Sequence, residues 1–271
     1  MPLERTCVRF IDNFSGGSRG ALSTEYFLEA GYAVIFLNRK GTIQPFTKGL
    51  PSSQLFDCLT EVIEVGGNGV GSIPHVKAEA EAVVSEAVQR VNRVNEQGLL
   101  LRVPYTTLFE YIMFLRLIAS CLQLCGRSAI FYLAAAVSDF FLPWSQMVEH
   151  KIQSADGPLH LDLHKVPKML GLLHKEWAPD AFIVSFKLET DERLLTSKAC
   201  SSIESYGVHA VVANLLQTRK EQVWIVQKHG EVIAVQSIER DKSEPFIEKQ
   251  LICHIVGLHQ HAMTGNSHSI Q

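Results

Sequence analysis

Five short apolar runs stand between stretches of helical period: "AVIFL" at 33–37, "LLLRV" at 99–103, "AIFYLAAAV" at 129–137, "AFIVSF" at 181–186 and "AVVAN" at 210–214. Each has strand length, and none is long enough to span a bilayer. Nearly unbroken apolar character means that both faces of each strand are covered, which is the pattern of a parallel sheet. Parallel neighbours need crossover helices. The spacing supplies them over 19–30, 75–97, 104–125, 191–206 and 245–261, with Gly31, Gly98 and Gly126 as stops. Pro167 opens a further helix at its favoured first-turn position. "QVWIVQK" and "EVIAVQS" flank His229-Gly230 and read as an antiparallel hairpin. "LHLDLH" (159–164) alternates with period two, as a half-exposed strand would. Residues 38–74 show little periodicity and read as loop. The expected fold is α/β and Rossmann-like: a doubly wound, mostly parallel sheet flanked by helices, with the hairpin added late. Residues 1–262 make one domain, and 263–271 a polar tail.

Bulk properties narrow the partners. With a net charge of −3, no basic field argues for nucleic acid or an anionic membrane. No basic flank followed by an apolar stretch opens the chain, so a cytoplasmic protein is expected. The six cysteines are scattered, and reduced, mostly buried thiols are the expectation. Cys121 and Cys125 would share a helix face, but no second pair stands at metal spacing, so no metal site is assigned. His259 and His261 read as solvated tail.

Open sheets of this kind bind ligands beyond the C-terminal ends of their strands. Asp139, Phe186 and Asn214 fall there. In "NFSGGSRG", Asn13, Ser15, Gly16, Gly17 and Gly20 precede or open the first helix. Free N–H groups and the helix dipole suit an anion at such a turn, although a tight turn packed on a strand would use the same residues. The turn lacks the Gly-Lys-Ser/Thr of a Walker loop and does not fit G-x-G-x-x-G cleanly. Ala135 and Ala136 leave room for a ligand before Asp139, or merely end a buried strand. Lys151 stands on a polar stretch, where it can close over phosphates or remain solvated. Phe186 can stack on a base and Asn214 can read a base edge; both also suit packing and turns.

In combination these segments carry a resemblance. "VRFIDNFSGGSRGA", "FYLAAAVSDF", "EHKIQS", "VPKML", "WAPDAFIVSFKLETD" and "VVAN" stand in the order and spacing of eukaryotic phosphopantothenoylcysteine synthetase, the phosphopantothenate–cysteine ligase family. "AGYAVIFL" and "LRLIA" look most like its plant-type members. The resemblance runs from Pro2 to the final helix. It implies a homodimeric ligase of coenzyme A biosynthesis that joins 4'-phosphopantothenate to L-cysteine through an acyl-adenylate, using ATP and Mg2+. It also implies roles. Asn13 faces the acyl-phosphate, and Lys151 belongs to a mobile flap over the intermediate. Ser15, Gly17 and Gly20 form the nucleotide-phosphate turn, with Phe186 and Asn214 at the base. Ala135, Ala136 and Asp139 line the pantothenate pocket, and Arg9 reaches the substrate phosphate across a dimer interface.

Two departures stand out. The family's usual second serine in Asn-Phe-Ser-Ser-Gly is Gly16 here. Family chains also begin earlier, with a strand ending in Thr-Ser-Gly-Gly-Thr ahead of the Pro-Leu-Glu that matches Pro2 to Glu4. The resemblance implies that this first strand and its glycine loop are missing. Their neighbours should then leave a gap or pair wrongly, and a truncated or degenerate member remains the alternative to an active ligase.

Overall fold

Strands β8 (Phe182–Glu189) and β9 (Ala210–Leu215) form the middle of the larger sheet, and their residues show why. Phe182, Val184, Ala210 and Val212 face one layer, while Ile183, Val211 and Ala213 face the other, all buried. A strand covered on both faces needs apolar residues at successive positions. β8 pairs in parallel with β9 on one side and with β5 (Ile130–Leu133) on the other. β10 (Gln222–His229) and β11 (Val232–Glu239) follow antiparallel, giving the order β11-β10-β9-β8-β5. A separate parallel pair joins β1 (Val34–Arg39) to β4 (Leu100–Tyr105). The computed structural model describes residues 1–50, 58–66, 69–154, 157–229 and 232–264.

Helices cover both faces, as doubly wound sheets require. α1 (Ser18–Glu29) and α6 (Glu248–Thr264) bury Phe27, Leu251, Ile252 and Ile255 against one. α3 (Leu108–Leu122) and α5 (Glu192–Tyr206) bury Tyr111, Leu115, Ala119, Leu195 and Ala199 against the other. α3 opens on a capping box: the Thr107 hydroxyl accepts the Glu110 N–H (3.2 Å), and the Glu110 carboxylate accepts the Thr107 N–H (2.8 Å). Asp191 caps α5 by accepting the Arg193 N–H (3.0 Å). With its following 3-10 turn, α3 forms a stretch, Leu108–Ser128, long and apolar enough by composition to cross a bilayer, at a mean hydropathy of 1.6. Tyr111, Leu115 and Ala119 pack it instead on the sheet.

β1 and β5 face one another without pairing. Among the described residues neither has a ladder partner on the facing side. Both run in the same direction. Their C-terminal ends meet at residues 12–16, where Arg39 donates to the Ser15 carbonyl (3.1 Å) and Asn13 Nδ2 donates to the Ala136 carbonyl (3.0 Å). Their N-terminal ends meet at His259, whose Nε2–H donates to the Arg127 carbonyl (2.9 Å) and whose Nδ1 accepts from the Tyr32 hydroxyl (2.7 Å). Between them lies a cavity of about 640 Å³, closed by Phe27 on one face and Leu115 and Ile118 on the other.

Several expectations need correction. Residues 38–74 are not all loop: β2 (Leu59–Gly66) and β3 (Gly69–Val76) pair antiparallel. The β-branched run of β2 and the Gly-Asn-Gly that follows were the signal. α2 (Ala78–Glu96) consequently starts later than its periodicity suggests. In "LHLDLH" only His164 enters a strand, β7 (His164–Lys165), paired with β6 (Phe140–Phe141). Alternation specifies a strand only where an edge is available to pair with. "AIFYLAAAV" stops at Leu133, because β8 pairs with it only that far. Pro167 lies just ahead of the N-cap Lys168 of α4 (Met169–Leu172), outside the helix. Four of the six cysteines are exposed, and only Cys58 is buried outright. The polar-tail residues 265–271 lie outside the described residues.

His259 is not solvated tail; it is 1 % exposed. Burial holds its pKa below the ordinary value. His209, partly open to water, has its Nδ1 accepting the Ile183 N–H (3.0 Å) and is pushed down to about 4, by burial first and then by His174 and His259. Below the ordinary histidine pKa of about 6.5 the unfolded chain therefore binds more protons than the folded one. Stability is fully present above that pH and is lost as pH falls towards about 4. Discounted for the water reaching His209, the loss should be on the order of 1–2 kcal/mol. Urea unfolding at pH 7 and pH 5 measures it. His209→Asn, which keeps an acceptor but cannot titrate, should flatten the slope; an unchanged slope would remove His209 as its source.

Candidate active site at the C-terminal edge of the sheet

The turn at residues 13–17 lies across the C-terminal ends of β1 and β5 because both strands hold it. Asn13 reaches Ala136, Arg39 pairs with Asp12 and donates to Ser15, and the Ile43 N–H donates to the Gly16 carbonyl (2.9 Å). Gly17 stands at φ 79°, where an added Cβ would meet the Thr42 Cβ at 2.8 Å, so only glycine fits. Gly16 is different. A Cβ there meets only Ile43 Cδ1, at 3.9 Å, so the serine usual in the family would be accommodated.

α1 leaves this turn without a side-chain cap and without an acid in its first turn. α3 and α5, by contrast, are capped. The free N–H groups at the start of α1 point an open, positive helix end at the cavity, an arrangement that holds an anion. The cavity wall brings together Asn13, Ser15, Gly17, Gly20, Ala135 and Ala136.

The other residues singled out in the sequence lie around it. Phe186 and Asn214 share the α1/α6 face, because Phe186 stands opposite Val212 and Leu188 opposite Asn214 in the β8–β9 register. The Phe186 ring meets Tyr132 edge-on at 4.8 Å. Asn214 is 5 % exposed and already engaged: Nδ2 donates to the Lys187 (3.2 Å) and Val212 (3.1 Å) carbonyls, and Oδ1 accepts from Arg19 (3.3 Å). Asp139 is exposed and 3.4 Å from Lys168 Nζ. Arg9 pairs with Glu4 at 2.9 Å, and Lys151 is exposed on the segment beside them.

Sequence reasoning missed four contributors. Arg19 bridges Asn214 and Glu248 (3.0 Å), tying the first turn of α1 to β9 and α6. The Tyr132 hydroxyl bonds Ser23 (3.0 Å), and burial raises its pKa well above the ordinary phenol value. Lys168 was visible inside "VPKML" and Asp139 in "VSDF", but their pairing was not. Glu4 is buried among donors. Nothing in a linear pattern marks a pair that meets only across two folded segments.

Comparison with known proteins decides the family. Residues 114–257 match the DNA/pantothenate metabolism flavoprotein C-terminal domain. Phosphopantothenate–cysteine ligase 2 of Oryza sativa subsp. japonica is 46 % identical over 267 residues, covering 98 % of this chain and 79 % of that protein. The chain belongs to the phosphopantothenate–cysteine ligase family. The Homo sapiens ligase is 41 % identical over 96 % of this chain and 83 % of its own length. A Cab2 mutant solved as a complex with phosphopantothenate-cysteine superimposes with a TM-score of 0.86 at 36 % identity, covering 97 % of this chain and 84 % of that one. In this chain the glycine turn, the α1 N-terminus and the sheet edge lie at one place.

Proposed function

We propose that this chain joins 4'-phosphopantothenate to L-cysteine with ATP, through an acyl-adenylate, as a cytoplasmic homodimer. The observation that carries the reading is the match over 97 % of the chain to a ligase structure holding phosphopantothenate-cysteine. The uncapped α1 N-terminus supports it, because it offers N–H donors where nucleotide phosphates would lie. In the first step the substrate carboxylate attacks the α-phosphorus and pyrophosphate leaves. In the second the cysteine amine attacks the acyl carbon and AMP leaves.

The residues divide the task. Ser15, Gly17 and Gly20 hold the nucleotide phosphates, and Phe186 packs the base. Asn214, with its amide donors already used, fixes the wall of the base pocket together with Arg19. Ala135, Ala136 and Asp139 shape the pantothenate side. Arg9 takes the substrate phosphate of the partner subunit's site, and Lys151 closes over the intermediate as a point charge. Asn13 donates to the oxygen that gains charge at the acyl centre. Among the described residues no group of three or more His, Cys, Asp or Glu side chains could hold a resident ion. Magnesium, which prefers phosphate oxygens and water, would arrive with the nucleotide and supply charge neutralisation there.

The test is a product assay with 4'-phosphopantothenate, ATP and magnesium. Without cysteine, pyrophosphate should be released and an acyl-adenylate should accumulate; adding cysteine should discharge it with release of AMP. Release of ADP and phosphate would mean acyl-phosphate chemistry and would end this reading.

A further inference from the structure

Residues 2–10 fold back on themselves. The Leu3 N–H donates to the Arg9 carbonyl (3.0 Å), the Cys7 N–H donates to the Glu4 carbonyl (3.0 Å), and Pro2 and Phe10 form an isolated bridge. The folded segment docks on the stretch that carries Lys151. The Arg5 N–H donates to the Val148 carbonyl (3.0 Å), and the Arg5 guanidinium donates to the Trp144 carbonyl (3.2 Å) and lies 5.3 Å over that ring.

Glu4 stands where the two segments meet, and it is 0 % exposed. Its carboxylate accepts the Arg9 N–H (2.7 Å), Arg9 Nη1 (2.9 Å) and the Ile152 N–H (3.2 Å). Burial alone would raise the carboxyl pKa, but these donors outweigh it and hold Glu4 below the usual range. Glu4 is therefore ionised at neutral pH.

Stability alone is weak ground for this choice. A buried ion pair is often no better than a well-packed apolar side chain. What an apolar residue could not do is hold a guanidinium by one edge while its other donors stay available, and the Arg9 side chain remains 36 % exposed. We propose that Glu4 is a positioning residue: it orients Arg9 for the substrate phosphate and, through the Ile152 N–H, anchors the backbone next to Lys151. One buried carboxylate thus sets two cations on neighbouring segments. The proposal rests on the reading of Arg9 as the phosphate-binding arginine.

A double-mutant cycle on this chain tests it, read as the dissociation constant of 4'-phosphopantothenate by calorimetry. Glu4→Gln keeps the size and an acceptor for Ile152 but loses the charge. Arg9→Ala and Glu4→Gln should each weaken binding about tenfold, and the double variant should bind no worse than Arg9→Ala alone. Glu4→Asp, still charged, should recover part of the loss, and ATP affinity should not change in any variant. Thermal melting of each variant shows which are folded at the titration temperature. Multiplying effects, or a Glu4→Gln variant that melts lower yet binds normally, would make Glu4 a structural residue only and overturn the proposal. An Arg9→Ala variant that binds normally would refute the reading of Arg9 and the proposal with it. The two failures are distinguishable, because only the second spares the arginine variant.

Discussion

Supplying one extended apolar strand between β1 and β5 should raise the melting temperature by about 10 °C or more. Both facing edges are open and run in the same direction, and helices close the space above and below. A parallel strand placed there would form ladder bonds on both sides, each contributing about 0.5–1.5 kcal/mol net. Its side chains would be buried against residues such as Phe27 and Leu115, at about 1.5–3 kcal/mol each. Ordering the strand costs about 1–2 kcal/mol per residue, which leaves a net gain of several kcal/mol. The strand can be fused ahead of Met1 through a short glycine linker. The Met1 amino group donates to the Ile11 carbonyl (2.8 Å) at the C-terminal end of the gap, and burial, then the nearby Arg39 charge, lowers its pKa. A fusion of six alternating Val and Ile residues should melt higher and unfold with a larger urea m-value, since more surface is buried. A fusion of six Ser and Asn residues should do neither. Equal melting of the two fusions would show that the gap is not a strand site.

Asn13→Ala should lower kcat by about 10²–10³, equivalent to ~2.7–4 kcal/mol of barrier, with little change in KM for ATP. Asn13 Nδ2 donates to the Ala136 carbonyl at 3.0 Å, so its amide is aimed across the end of β5. A donor oriented before the reaction costs little reorganisation as charge develops, which is why its loss falls on the chemical step. Asn13→Asp replaces the donor with an acceptor of the same shape and should be at least as damaging. Single-turnover measurement of acyl-adenylate formation checks both. A variant with kcat intact and a raised KM would reassign Asn13 to ground-state binding.

The buried strands of the two parallel groups, β1, β4, β5, β8 and β9, were legible in the sequence because burial on both faces leaves a local mark. Ile183, Val184, Val211 and Val212 stand in unbroken apolar runs, and each became central strand. The glycine turn was equally legible. A backbone at φ 79° beside Thr42 demands glycine, and Gly17 supplies it. The family likeness rested on the same local runs, and the ligase relatives confirm it.

The tertiary structure decided what depends on partners far along the chain. "LHLDLH" alternates correctly, yet only its last residue found an edge to pair with. His259 looked like tail because it stands in "HQH" near the C-terminus. Tyr32 and Arg127, more than a hundred residues upstream, make it core. Nothing in the sequence around Glu4 marks it as buried; Arg9 and Ile152 close around it only in the fold. The split between β1 and β5 has no signature in either strand, since apolar side chains record covered faces and not paired backbone edges. Side-chain composition records how deeply a residue is buried; which backbone or charge buries it is settled only when distant segments meet.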